Sequence, residues 1–533
     1  VHASRNCVRG FSGLGWLFRA HFESDVPSAW KGSDMASLAD KLIKGSALRV
    51  LNPFMNVIVS LGMMPFIIHC IGDRYYGLWI LASTFVGYFE FLDLGLSTAN
   101  QRYIAQALGK GDHAEVNETF NTCLGLYVGT CFVALIISGI IALVTPHFVK
   151  NAADIAVFRV IIIMIGVTVA LELPVSAFLG FLQAHILFDV INAIDIGKLV
   201  VRTGLILWLL GKGHGIIALA IVSLGMEVAA MGIEVVYARI RFPELPVGLR
   251  WFRREKVKPL FSYSIYSFIV KVAEAFQFQM DAFVISAFVG LGAVTHYNVG
   301  ARIARYYLLF ILSAIYLIMP VFSRYEGLKA YEEIREKFMF VFKLNIMMSV
   351  YVGGALLIFG KPFIGRWMGS DYLDGYPVLA ILTLGLIFST IQVTSKALLF
   401  SVSKHRFYAF ALIGEGVTNL ILSIIFVKKL GIFGVALGTT VPMLVNNLAI
   451  LPAYTIRILG IPFSRYMGGA LKTFAVSAAV MFGAWILVKL AMTGSYSYGK
   501  ILFFGAFTAV LFTAVTLFTL LSKRERQYFR IPV

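Results

Sequence analysis

The sequence predicts an all-α polytopic membrane protein with about 14 transmembrane helices, twelve of them in two pseudo-symmetric six-helix bundles. Three observations point there. Of 533 residues, 59% are hydrophobic and only 14% charged, with a mean hydropathy of +0.83, whereas soluble domains carry about a quarter charged residues. The apolar residues fall in long continuous runs of about 20, the length that crosses a bilayer core, not in the short alternating segments of a membrane barrel. The chain also repeats itself at a spacing of about 220 residues.

Taken in order, residues 1–46 read as an N-terminal cytoplasmic segment. Residues 1–34 hold no apolar core long enough for a signal peptide. Met35 opens ASLADKLIKGSALRV, an amphipathic lead-in, so translation is expected to start there and 1–34 to be non-native. Spans at 47–71, 75–99, 117–145, 155–180, 188–210 and 215–240 make the first bundle, 47–240. The gap 241–257 is a basic cytoplasmic linker. Spans at 258–289, 293–322, 338–362, 376–402, 406–429 and 432–457 make the second bundle, 258–457. Residues 458–533 add two spans, 467–490 and 499–521, and a basic tail. Pro53, Pro65, Pro320 and Pro442 lie within apolar runs, where a missing N–H kinks a helix. Glu172, two residues before Pro174, is expected at a helix break.

An even number of spans puts both termini on one side. Lys and Arg choose the side. The odd gaps are poor in them, whereas the linker region alone holds Arg239, Arg241, Arg250, Arg253, Arg254, Lys256 and Lys258. Both termini are therefore expected in the cytoplasm, and the membrane is expected to be the bacterial inner one. The formal net charge of +18 fits this bias and also contact with anionic lipid or an anionic substrate.

The repeat is carried by short matches with one shared offset. LLGKGHGIIALA from Leu209 aligns with KLGIFGVALG from Lys429, His185 with His405, Asp195 with Glu415, and Tyr76 and Arg102 with Tyr297 and Arg324. Six spans per copy is even, so both copies enter the membrane the same way up, related by a pseudo-two-fold along its normal.

Charges inside spans are costly and usually face an interior cavity. In span 8, Asn298, Arg302 and Arg305 are spaced i, i+4, i+7 and share a face. The arginines lie roughly 14–18 Å below the start of their helix, too deep to snorkel easily. In span 7, Lys271, Glu274, Gln277 and Asp281 fall within an arc of about 120°. In span 5, Asp195, Lys198 and Arg202 share a face. In span 2, Glu90, Asp93 and Ser97 do the same. The repeat matches Arg302 and Arg305 with about Leu81 and Thr84, and Lys198 and Arg202 with about Thr418 and Leu422. Charges present in only one copy favour function over architecture. Arginine's planar fork suits phosphate oxygens, so Arg302, Arg305, Lys271, Lys198, Arg202 and Asn298 form the candidate site for a phosphate or pyrophosphate on lipid. Glu90, Asp93, Glu274, Asp281 and Asp195 are candidate counter-charges or proton or sodium sites. Local pairing of Lys271 with Glu274 and of Asp195 with Lys198 competes with this reading, as does neutralisation of the arginines by neighbouring acids.

No catalytic constellation, P-loop or zinc motif is present in the sequence, and no cofactor or nucleic-acid partner is expected. Cys7, Cys70, Cys123 and Cys131 make no CxxC pair.

YGLWILASTFVGYFEFLDLGLSTANQRYIAQALGKGD in the first half, QMDAFVISAFVGLGAVTHYNVGARI in the second and GIFGVALGTTV from Gly431 resemble the Wzx-like polysaccharide flippases of the multidrug/oligosaccharidyl-lipid/polysaccharide exporter superfamily. The resemblance covers about 40–521. It implies two bundles forming a V around a central cavity. It also implies translocation of polyprenyl-pyrophosphate-linked oligosaccharide from the cytoplasmic to the outer leaflet, with glycan polymerase machinery as a partner. Twelve spans are common in the family, and two extra ones resemble its 14-span variants. A drug or metabolite antiporter is the sister alternative, though cationic drugs would prefer an acidic cavity. A membrane glycan polymerase or transferase would need a sizeable extramembrane loop with catalytic acids.

Overall fold

The computed structural model describes residues 33–147, 149, 151–262, 268, 272, 279–402, 404, 406–491, 497–522 and 525–526. The first helix, α1 (Ser33–Phe89), is two arms joined at Gly72, whose φ of 76° and ψ of 163° break the helix. Ser60 reaches Arg302, Asp73 lies against Thr295, and Thr84 returns to the cavity that holds Arg302. The chain therefore reverses at Gly72. A residue without Cβ meets that φ at no steric cost. Pro53 and Pro65 lie inside the helix and do not end it.

The span expected over 75–99 stops early. A 3-10 turn, Glu90–Asp93, and positive φ at Leu94 (50°) and Gly95 (73°) separate it from a new helix, α2 (Leu96–Lys110). The helices α3 (His113–Val144), α4 (Ala152–Ala184), α5 (Phe188–Gly211) and α6 (Ile216–Arg241) follow. Asp112 and Asn151 cap α3 and α4 by accepting the N–H groups of Glu115 and Ala153. Contrary to expectation, α4 runs on through Pro174. These helices pack mainly on one another: α3 on α4, α4 and α5 on α6, α1 on α5.

The basic linker is clamped to α3. Asn121 donates to the Pro246 carbonyl and accepts from Gly248 N–H, while Arg253 and Lys256 reach Glu118.

A second group begins with α7 (Met280–Phe288), α8 (Leu291–Ile315), α9 (Met319–Gly327) and α10 (Tyr331–Trp367). It continues with α11 (Gly375–Ile391), α12 (Val393–Ser401), α13 (Arg406–Leu430), α14 (Ile432–Val445) and α15 (Leu451–Leu459). Three spans read as continuous are interrupted: 376–402 at Gln392, 432–457 at a π-helical turn, Asn446–Ile450, and 293–322 at a 3-10 turn, Tyr316–Ile318. A break frees carbonyls that lipid cannot satisfy. At the first break, buried Asn345 on α10 donates to the carbonyls of Thr390 and Ile391 and to Thr394 Oγ1. The last helices, α16 (Phe463–Ala491) and α17 (Tyr498–Leu520), pack on α10.

Among the described residues, ten helices are long and apolar enough to cross a membrane. α5 and α8, which carry the intramembrane charges, fall outside that set. The two groups meet mainly where α1 packs on α8 and α7. Gly77 makes this close approach possible, because a Cβ there would sit 1.9 Å from the Leu291 carbonyl oxygen. Gly77→Ala is expected to lower stability by about 1–3 kcal/mol through overpacking against backbone, while Gly62→Ala, with open space around it, leaves it unchanged or raised. Thermal unfolding of both purified variants checks this.

Candidate substrate cavity

The Asn298–Arg302–Arg305 face of α8 opens on a cavity of about 200 Å³. Its walls are Trp79, Ser83 and Thr84 of α1, Asp281 of α7, Tyr297 of α8 and Thr439 of α14. The continuous helix explains why three residues seven positions apart share one surface. Arg302 Nη1 donates to Ser60 Oγ at 2.6 Å and also bonds Tyr306. Arg305 presents its surface to the cavity, within electrostatic reach of Arg302 and Asp281. Asn298 Oδ1 is buried with no hydrogen-bond partner. Thr84, the repeat counterpart of Arg305, lies on the same cavity. An aromatic cluster lies beside these walls: Phe85 and Phe283, 4.8 Å apart edge to face, with Tyr88 and Phe158 beside them.

Asp281 is buried and held by hydroxyls. Tyr297 donates to it, and Thr439 Oγ1 lies 3.1 Å from its Oδ1. Thr439 also lies 3.1 Å from Asn419 Oδ1 and 3.2 Å from the Val435 carbonyl. One hydroxyl proton cannot serve three acceptors at once. Asp281, Asn419 and Thr439 thus form an oxygen-rich knot.

The other acids gather elsewhere. Asp93 is buried, accepts Ser97 N–H and Oγ–H, and takes the Tyr127 hydroxyl at 2.6 Å. It caps the start of α2 instead of continuing a helical stripe. Glu90 is exposed at the same turn. Lys198 does not join the arginines: it lies 2.8 Å from Glu227 and 3.0 Å from Asp195. Its local partner Asp195 was foreseeable from i, i+3 spacing, but Glu227, on α6, was not. Glu172 presents its surface to the interior, within electrostatic reach of Glu227, Glu90, Lys198 and Asp93. Arg202 is half-buried one turn beyond Lys198 on α5. Lys271, Glu274 and Gln277 lie outside the described residues.

Long apolar helices, a cavity among them and two arginines at its wall define a multi-pass helical membrane protein. Residues 42–326 match the family described as Polysaccharide biosynthesis protein, and the chain belongs to that family. It is 25% identical over 265 residues to the probable low-salt glycan biosynthesis flippase Agl15 of Haloferax volcanii, across 49% of this chain and 55% of that protein, so the match spans about half the relative's length. It is 19% identical over 423 residues to a putative O-antigen transporter of Shigella flexneri, across 78% of this chain and 98% of that one. The fold is similar to that of the lipid II flippase MurJ in an inward closed conformation, with a TM-score of 0.68 at 15% identity over 88% of this chain and 99% of that one.

Sequence reading did not single out Ser60, Trp79, Thr439, Asn419 or Glu227 as parts of these clusters. All come from other helices, and no single-helix period reports them. Replacing Lys198 with Met strands two carboxylates that share its ammonium. It is expected to cost about 1–3 kcal/mol, with Lys198→Arg retaining most of the stability, as read by thermal unfolding in detergent.

Proposed function

We propose that the chain is a flippase that moves polyprenyl-pyrophosphate-linked oligosaccharide from the cytoplasmic to the outer leaflet by alternating access. One observation carries this reading: Arg302 and Arg305 stand together on a cavity wall midway along α8, with Asn298 Oδ1 beside them. Two guanidinium forks offer parallel donors to phosphate oxygens. The amide oxygen suits a sugar hydroxyl. Family membership supplies the glycan.

Cavity size supports two states. Sites for drug-sized ligands occupy about 300–1,000 Å³, and about 200 Å³ holds a pyrophosphate group but no glycan. The cargo therefore requires a more open arrangement. Counting the arms of α1 separately and adding α5, α8 and the span at 258–289 to the ten apolar helices gives fourteen spans. In this reading 47–240 and 258–457 rock against each other about the 241–257 linker, with both termini in the cytoplasm of a bacterial inner membrane. Anionic lipid contacts the basic surfaces, and polymerase machinery receives the glycan. A cationic drug as cargo would have to sit against both arginines, which disfavours the antiporter alternative.

Coupling to a proton or sodium gradient is assigned to the Asp281 knot, where a buried carboxylate stands among the oxygens of Tyr297, Thr439 and Asn419 and one cation would join them. Glu90, Asp93 and Glu274 serve as counter-charge, Asp195 with Glu227 neutralises Lys198, and Arg202 and Lys271 lend positive potential to the phosphate path.

Arg302→Ala and Arg305→Ala are each expected to cut surface glycan about tenfold or more, the loss of one charge-assisted contact, while lipid-linked glycan accumulates inside and the protein reaches the membrane in normal amounts. Normal surface glycan in both variants would refute the reading. Asp281→Asn is expected to remove the dependence of transport on the proton or sodium gradient in vesicles. Retained dependence would reassign Asp281 to structure.

A further inference from the structure

At one end of the molecule the second helix group is tied to α1 by contacts gathered around Asp73. Asp73, next to the reversal at Gly72, accepts the Thr295 hydroxyl on its carbonyl at 2.7 Å and the Tyr372 hydroxyl on Oδ1 at 2.6 Å. Nearby, Trp367 Nε1 donates to the Leu61 carbonyl at 2.7 Å. Every donor belongs to the second group and every acceptor to α1. His296 stands between the two sides. Its Nδ1 lies 2.9 Å from the carboxylate of Asp374, on its own side. Its Nε2 faces Asp73 Oδ2, across the seam, at 3.8 Å. The ring is stacked on Tyr372, centroids 4.9 Å apart, and cannot easily turn away.

The charges around the ring are one-sided. Asp73 comes from α1, Asp374 from the cap of α11, and Asp371 from the turn that carries Tyr372. Of the cations at this end, Arg74 pairs with Asp154, Arg366 lies over Tyr498 and Lys428 over Phe288. A neutral imidazole has one N–H. If it goes to Asp374, a bare Nε2 lone pair faces the Asp73 carboxylate. A protonated imidazole gives one N–H to each side and draws the seam together. An open hollow of about 530 Å³, lined by Val289, Ala293, His296, Asp374 and Phe433, lies beside the ring.

We propose that His296 is a proton-binding site that latches this end of the molecule, its imidazolium bridging Asp374 and Asp73 across the seam. The inference rests on the alternating-access reading and on this end, opposite the basic linker, facing the outside. Binding one external proton closes the seam, and releasing it lets the two groups part. The sign follows from the geometry: the bridge exists only while both ring nitrogens carry a proton, so closure is favoured at low external pH and lost at high. In the transport cycle the proton would favour the return step after cargo has left.

The test uses the full-length chain in nanodiscs, its native cysteines replaced by Ala, with spin labels on Tyr75→Cys and Ser370→Cys, exposed positions flanking the seam. Pulsed distance measurements at pH 5 and pH 8 are expected to show a short-distance population about two- to fivefold larger relative to the long one at pH 5, the range that half-exposed ion pairs support. His296→Gln removes the response, His296→Arg holds the short distance at both pH values, and Asp73→Asn favours the long one at both. Two populations that ignore pH, or an unchanged response in His296→Gln, overturn the latch and leave alternating access standing. One distance in every variant overturns both. In oriented vesicles, a response to internal pH alone overturns the assignment of this end to the outside and the external-proton latch with it.

Discussion

Two guanidinium groups cannot be left in hydrocarbon. The helices around α8 are arranged to keep Arg302 and Arg305 off the lipid. Gly72 turns the chain back, so both arms of α1 lie against α8. Gly77 then lets the backbones approach closely enough for Ser60 to reach Arg302. From the other side α7 brings Asp281, and α14 brings Thr439 to hold it. The cavity is what remains where these groups converge on the two arginines.

The same rule governs the backbone. Each break in a long helix frees peptide groups, and a side chain satisfies them: Asp93 at the start of α2, Asn345 at Gln392. Buried Asn and Asp residues that look like misplaced polarity in the sequence are in these cases the partners of broken helices.

This explains which residues could be read early. Asn298, Arg302 and Arg305 belong to one unbroken helix, so a period of 3.6 places them on one face, and the structure puts all three on one cavity. Thr84, matched to Arg305 by the repeat, lies there as well. Asp93 was read as part of an acidic stripe with Glu90 and Ser97, a pattern that assumes a continuous helix. The positive φ values at Leu94 and Gly95 end that continuity, and Asp93 becomes a cap. The face that Lys198 shares with Arg202 and its presence in only one repeat copy place it with the arginines in the sequence, but Glu227 on α6 engages it at 2.8 Å. Spacing within one helix cannot reveal a partner on the next.

Composition, run length and the asymmetric charges determined, without any coordinates, that the chain is a multi-pass helical protein with a basic stripe on span 8. Those features are local, since each rests on residues a few positions apart. Only the tertiary structure decided which charges meet: Arg302 with Ser60, Lys198 with Glu227, Asp281 with Thr439, His296 between Asp374 and Asp73. The members of each pair lie on different helices. Their meeting depends on where glycines and helix breaks let backbones approach, a property of packing that no single segment encodes.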